Sequence, residues 1–270
     1  MVDPLSVILI SGAAGGAAGK FIETSLSYGG RWVAEKYAHH HQKAIEKAQN
    51  NSIDFLNKLG EHLHSLEEQG IISSEQITLA LESPDFSMAL HNALLGSAQT
   101  ESEEKHDYLS MLVIDNLSSK SESTISLSSK LACTVVSQLT HNQLNLLGLL
   151  FSFRYANIPP TNPRTYAMWR EQFLSPYVGT QCDTIDWQHL QSLGCLQQTI
   201  VSAEIRSTFQ IGNPEGIDPT FFETETFKHI HSIWKSASTL ALTTLGQVIG
   251  SKVAERCTGQ RVSFSDWGEH

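Results

Sequence analysis

Four glycines raise the first question of chemistry. Gly12, Gly15, Gly16 and Gly19 lie in PLSVILISGAAGGAAG, an uncharged stretch from Pro4 to Gly19 that Lys20 closes. A phosphate-binding loop needs Gly, four residues, then Gly-Lys and a Ser or Thr. Its backbone N–H groups wrap the phosphates and its hydroxyl holds magnesium. Gly19-Lys20 fits, but Ala14 takes the first glycine position and Phe21 the hydroxyl position. The dinucleotide fingerprint Gly-x-Gly-x-x-Gly also fails, because Ala13 and Ala14 follow Gly12. No nucleotide cofactor is expected.

Other reactive side chains are scattered. Cys133, Cys182, Cys195 and Cys257 form no C-x-x-C pair. That argues for reduced thiols and against a structural zinc site. His39, His40 and His41 are consecutive. On a helix they point in three directions, so they read as solvated residues rather than ligands. His229 and His231 lie two apart on a predicted helix, and their rings diverge. There is no nucleophile elbow, no His-Glu-x-x-His helix and no pair of carboxylates flanked by aromatics. The sequence therefore predicts no catalytic residue, no metal and no cofactor.

The glycine stretch makes better sense as a helix. Asp3 suits an N-cap, and Pro4 suits the first turn, where its missing N–H costs nothing. Gly12 and Gly16 lie four apart, as do Gly15 and Gly19, leaving a smooth strip for a second backbone. Each glycine costs a helix in water about 1 kcal/mol relative to alanine, so close packing or lipid must offset it. Two uses fit: self-association or membrane contact through Gly12, Gly15, Gly16 and Gly19, or an internal seam. At about 1.5 Å per residue the stretch is shorter than a full membrane span. It lacks a basic leader region, so no secretory signal is expected.

The net charge of −10 is uneven. Residues 61–118 carry eleven acidic side chains against the single Lys105, and residues 181–270 carry ten acidic against six basic. No segment has the positive balance that nucleic-acid binding requires, so no nucleic-acid partner is expected. Unpaired thiols point to the cytoplasm.

The rest of the chain reads as mainly α. Residues 1–50 hold the glycine-rich and charged helices, with Gly29-Gly30 as a kink or break and Asn50-Asn51 as an end. Residues 51–156 read as a helical bundle or array. Ile53, Leu56, Leu59, Leu63 and Leu66 give its first apolar face, and Tyr108, Leu109, Leu112 and Val113 a later one. The serine-rich run Ser118 to Ser129 reads as a turn and a helix start. NIPPTNP, Asn157 to Pro163, reads as a linker. Tyr166, Trp169, Phe173 and Tyr177 then make an aromatic helix or connector. Within residues 164–260, Ile185–Leu193 reads as a helix, Cys195–Ile200 as extended, Ala203–Ile211 as a second extended or helical piece, Phe221–Lys235 as helical, Thr239–Thr243 as a strand and Leu245–Cys257 as a closing helix. This pattern is similar to a winged-helix module with a short hairpin, a module that binds DNA or proteins; the acidic balance favours protein. Residues 261–270 read as a tail.

The middle and the end together resemble the bacterial abortive-infection alpha (Abi-alpha) family. The likeness rests on Glu103-Glu104, Tyr108-Leu109-x-x-Leu112, Asn116-Leu117, Val136-x-x-Leu139-Thr140-x-x-Gln143-Leu144-x-x-Leu147 and Leu242-Thr243-x-x-Gly246. The resemblance implies a helical bacterial protein linked to phage defence and brings no catalytic motif. The expected function is a non-enzymatic defence effector. It would be cytoplasmic or peripheral to the inner membrane, would form a homo-oligomer, and would act on that membrane through its N-terminal helix. The alternative is an interaction or regulatory scaffold with a protein partner at the winged-helix-like module.

Overall fold

The computed structural model of the chain describes residues 17–156, 161–200, 202 and 204–259. The chain divides into two units between Gln138 and Leu139. Twelve α-helices and one two-stranded sheet account for the regular structure of the described residues.

Among its described residues the first unit contains helices and no strand. It holds α1 (Ala17–Lys36), α2 (Gln42–Glu68), α3 (Ser74–Leu81), α4 (Pro84–Ala98), α5 (Glu103–Ser118) and α6 (Thr124–Val135), closed by a 3-10 turn at Val136–Gln138. Local chemistry sets the starts. Ser73 and Gln76 form a capping box at α3, Pro84 enters the first turn of α4, and Ser102 and Ser123 cap α5 and α6. Such caps satisfy backbone N–H groups that a helix start leaves open. The long α2 is the spine. Its Phe55, Leu56, Leu59 and Leu63 are buried, and α1, α4 and α5 pack on it.

Two expected breaks are absent. α2 runs through Asn50-Asn51 because the polar side chains there find partners inside the core. Asn51 donates to the Ala98 carbonyl at 3.3 Å, and Ser52 donates to the Ala48 carbonyl at 2.8 Å. α1 likewise runs through Gly29-Gly30. A Cβ on Gly29 would stand 2.7 Å from Leu56 Cδ1, so this glycine lets α1 approach α2 closely. Packing offsets the roughly 1 kcal/mol of lost helix propensity. The serine-rich run does form a turn and a helix start, and two of its serines, Ser126 and Ser129, are buried.

The second unit contains α7 (His141–Arg154), α8 (Pro163–Leu174), a 3-10 turn (Ser175–Tyr177), α9 (Thr184–Ser192), β1 (Leu196–Gln198), α10 (Ile205–Gly212), a 3-10 turn (Pro219–Glu223), α11 (Glu225–Ala237), β2 (Leu240–Leu242) and α12 (Thr244–Thr258). The division differs from the expected one, which put α7 with the bundle and a linker at Asn157–Pro163. Leu144, Leu146, Leu147, Leu149 and Leu150 are all buried, so α7 is apolar all round. A helix of that kind belongs at the centre of a core, and α7 packs against α12. The described end of the expected linker is tied down: Asn213 donates to the Thr161 carbonyl at 2.7 Å, and the Asp218 N–H donates to the Pro163 carbonyl at 3.1 Å. Residues 157–160 lie outside the described residues.

Glycines permit the α7–α12 crossing. A Cβ on Gly148 would meet Val253 Cγ1 at 2.5 Å, and one on Gly250 would meet the Leu147 carbonyl oxygen at 2.6 Å. β1 and β2 pair antiparallel, with Leu196 opposite Leu242 and Gln198 opposite Leu240. The expected short hairpin is therefore corrected to a pairing across α10 and α11. β2 runs into α12 through the cap Thr243, whose hydroxyl donates to the Gly194 carbonyl and accepts from Gly246 N–H.

Candidate functional site

The aromatic residues of α8 organise the surface of the second unit. Tyr166, Phe173 and Tyr177 are buried. Trp169 stacks between its neighbours, with centroids 6.1 Å from Tyr166 and 4.9 Å from Phe173. Arg170 is buried, at 2% exposure. Its guanidinium donates from Nε and Nη2 to the Tyr166 hydroxyl at 2.9 and 2.7 Å, and from Nη1 to the Ser152 carbonyl at 3.0 Å. It also lies over the rings of Trp169 and Phe209, at 4.9 and 5.6 Å. Burial lowers its pKa from the usual arginine value, and Tyr166 opposes that shift. Neutral oxygens and π faces thus hold this cation, and they fix the rotation of α8.

That rotation turns the other face of α8 outward. Met168 is 67% exposed, and Gln172 is exposed. Together with Trp169 and Glu171 they form one wall of an open groove of about 720 Å³; Thr220, Phe221 and Thr224 form the other. A smaller cavity of about 90 Å³ lies on the far side of Trp169, between Gln172, Phe173, Cys257 and Thr258. Glu171 Oε1 accepts a hydrogen bond from Thr226. Its Oε2 and the Trp169 indole N–H have no hydrogen-bond partner among the described residues. A concave apolar surface with a few convergent polar groups is the usual form of a binding site. An exposed Met168 beside a half-buried Trp169 and a buried Arg170 has the residue types enriched at interface anchors.

The residues that suggested chemistry do other work. His41 caps α2, accepting from Lys43 N–H at 3.3 Å, and His39 and His40 are exposed. His231 stacks on Phe227 while His229 is half-buried, so the two rings do diverge. Ser110 and His62 are 2.8 Å apart, but Ser110 is fully buried and cannot reach a substrate. Burial pushes the Cys133 thiol up, with Asp115 adding to the shift. Cys195 is pushed up to about 12 by burial, and Cys182 to about 12 by burial, Asp186 and Asp183. These three thiols supply no thiolate at neutral pH. No cluster of three or more metal-ligating side chains occurs among the described residues.

Gly12, Gly15 and Gly16 lie outside the described residues. Gly19 sits in the first turns of α1, exposed, with nothing within 4 Å of where its Cβ would be. Among the described residues no helix is long and apolar enough to cross a membrane. Sequence reasoning missed the groove. The spacing of Tyr166, Trp169, Phe173 and Tyr177 was visible, but the opposing wall comes from a turn some fifty residues later in the chain.

A family model described only as ":-like" matches residues 27–223, and the chain belongs to that family. The match begins inside α1 and ends with the turn that carries Phe221, so it includes Met168, Trp169 and Phe221 of the groove. No curated protein and no solved structure matches the chain.

Proposed function

We propose that this chain is a non-enzymatic interaction protein of bacterial phage defence, and that the Trp169 groove is the surface it presents to a protein partner. The observation that carries the reading is the groove itself, with the exposed Met168 beside the half-buried Trp169 on a helix face set by the buried Arg170. The phage-defence part of this reading rests on the Abi-alpha resemblance of residues 100–260. The order helix, strand, two helices, strand from α9 to β2 supports the winged-helix-like reading of this region. Its acidic balance favours a protein over DNA.

The test is plating of phage on bacteria expressing the chain. Wild type should reduce plating, and Met168→Glu should restore it, because a carboxylate in a desolvated contact is costly. Met168 is exposed, so the variant should fold normally. Protection unchanged by Met168→Glu would reject the groove, and no protection by wild type would reject the defence role.

A second reading has one supporting observation. Gly19, the described member of the glycine strip, is exposed and meets nothing within 4 Å among the described residues. That favours a strip available for self-association or the inner membrane. In this reading Gly12→Leu with Gly16→Leu abolishes defence without lowering the melting temperature, and a membrane-potential dye responds only to wild type.

A further inference from the structure

The charge around the Trp169 groove has one sign. Among the described residues Glu171 is the one charged side chain that lines it. The Thr226 hydroxyl donates to Glu171 Oε1, while the buried Oε2 has no donor among the described residues. The Trp169 indole N–H, in the same wall, has no acceptor there. A buried polar atom without a partner is costly, a charged one most of all. The last torsion of a glutamate is broad, so Oε2 can turn to meet a donor that enters the groove.

The opposite wall adds to the negative field. Asp218 caps its 3-10 turn and accepts from the Thr220 N–H and hydroxyl at 2.9 and 2.7 Å. Glu223 is exposed in the same turn, and Glu225 opens α11. Two cations lie near these acids. Arg164 acts on Asp218 through its charge, and Lys228 pairs with Glu225 at 2.9 Å. Among the described residues neither Glu171 nor Glu223 has an ion pair. The complement of an acidic groove with an apolar wall is a cation carried beside apolar groups. Arginine suits it better than lysine. Its guanidinium is more weakly hydrated than an ammonium, and its planar fork matches a carboxylate.

We propose that the groove recognises an arginine flanked by apolar residues in an extended segment of a partner protein. The guanidinium meets Glu171 Oε2, the apolar side chain covers the exposed Met168, and a peptide carbonyl accepts from the Trp169 indole N–H. This rests on reading the groove as a contact surface and adds the chemistry of what it contacts. An anionic membrane or a nucleic-acid backbone would meet repulsion at the same place.

The test pans displayed random heptapeptides against the immobilised full chain. Peptides enriched on wild type should share an arginine beside a large apolar residue. They should be lost on Met168→Glu and on Glu171→Gln, which keeps an acceptor for Thr226. A labelled copy of the most enriched peptide then reports affinity by fluorescence anisotropy. Replacing its arginine by citrulline keeps the shape and removes the charge. That change should weaken binding to wild type about tenfold or more, and binding to Glu171→Gln far less. The citrulline arm leaves the protein untouched, so it decides the matter even where a variant folds poorly. No enrichment, enriched peptides without a cation, or an arginine that citrulline replaces without loss would overturn the proposal. So would an arginine peptide that binds Glu171→Gln as tightly as wild type. If the enriched peptides lack a cation but still need Met168, only this inference falls and the contact surface stands. If arginine peptides need Glu171 while Met168→Glu is neutral in plating, only the proposed function falls.

Discussion

Asp85 lies in the first turn of α4, where it accepts hydrogen bonds from Ser126 and Lys130. Asn116 completes the group, donating to the Ser126 hydroxyl at 2.9 Å and its carbonyl at 3.1 Å. Burial alone would raise the Asp85 pKa, but the bonds from Lys130 and Ser126 and the Lys130 charge outweigh it, so the carboxyl sits below its ordinary value near 3.8. A depressed carboxylate stabilises the fold fully above the unfolded value. The contribution disappears as pH falls through the lower folded value. Asp85→Asn should therefore cost about 1–3 kcal/mol at neutral pH. The variant should also lose less further stability than wild type below about pH 4. Urea unfolding at neutral and acidic pH checks both. Arg170 poses the opposite case, a buried cation held by neutral groups. Arg170→Lys keeps the charge but loses the planar fork and its stacking. It should cost about 3 kcal/mol or more, because a buried charge is left poorly held. Arg170→Met removes the charge at similar volume and should cost less than Arg170→Lys in the same unfolding measurement.

Elements are governed by glycines at close crossings. Gly246 and Gly250 of α12 face backbone: a Cβ would lie 2.0 Å from the Cys195 carbonyl oxygen and 2.6 Å from that of Leu147. Backbone cannot swing aside as a side-chain tip can. Gly250→Ala should thus lose about 1–3 kcal/mol despite better helix propensity. Gly19→Ala meets nothing and should gain up to about 1 kcal/mol. Thermal melts of the two variants should move in opposite directions. These elements also show what the sequence could reveal. Ser73, Ser102, Ser123 and Thr140 set helix starts through atoms three residues away, so this information is local in the sequence. The continuity of α2 past Asn51 was not legible, because its partner Ala98 lies on another helix. The same holds for Gly29, whose reason is Leu56, and for β1, whose partner follows two helices later.

At the scale of the molecule the chain divides into two units, and the second carries an open groove beside Trp169 and Phe221. α8 was legible as aromatic, and its burial of Tyr166 and Phe173 follows from their seven-residue spacing, which puts both on one face. The groove was not legible, since its second wall, Thr220 to Thr224, is joined to α8 only by folding. In the proposed function this groove, rather than a reacting group, carries the activity. Phage plating on cells expressing Met168→Glu tests it most directly, at wild-type protein level and with a wild-type melting temperature. The account predicts that plating returns to that of cells lacking the chain. Protection equal to wild type in that variant would contradict it.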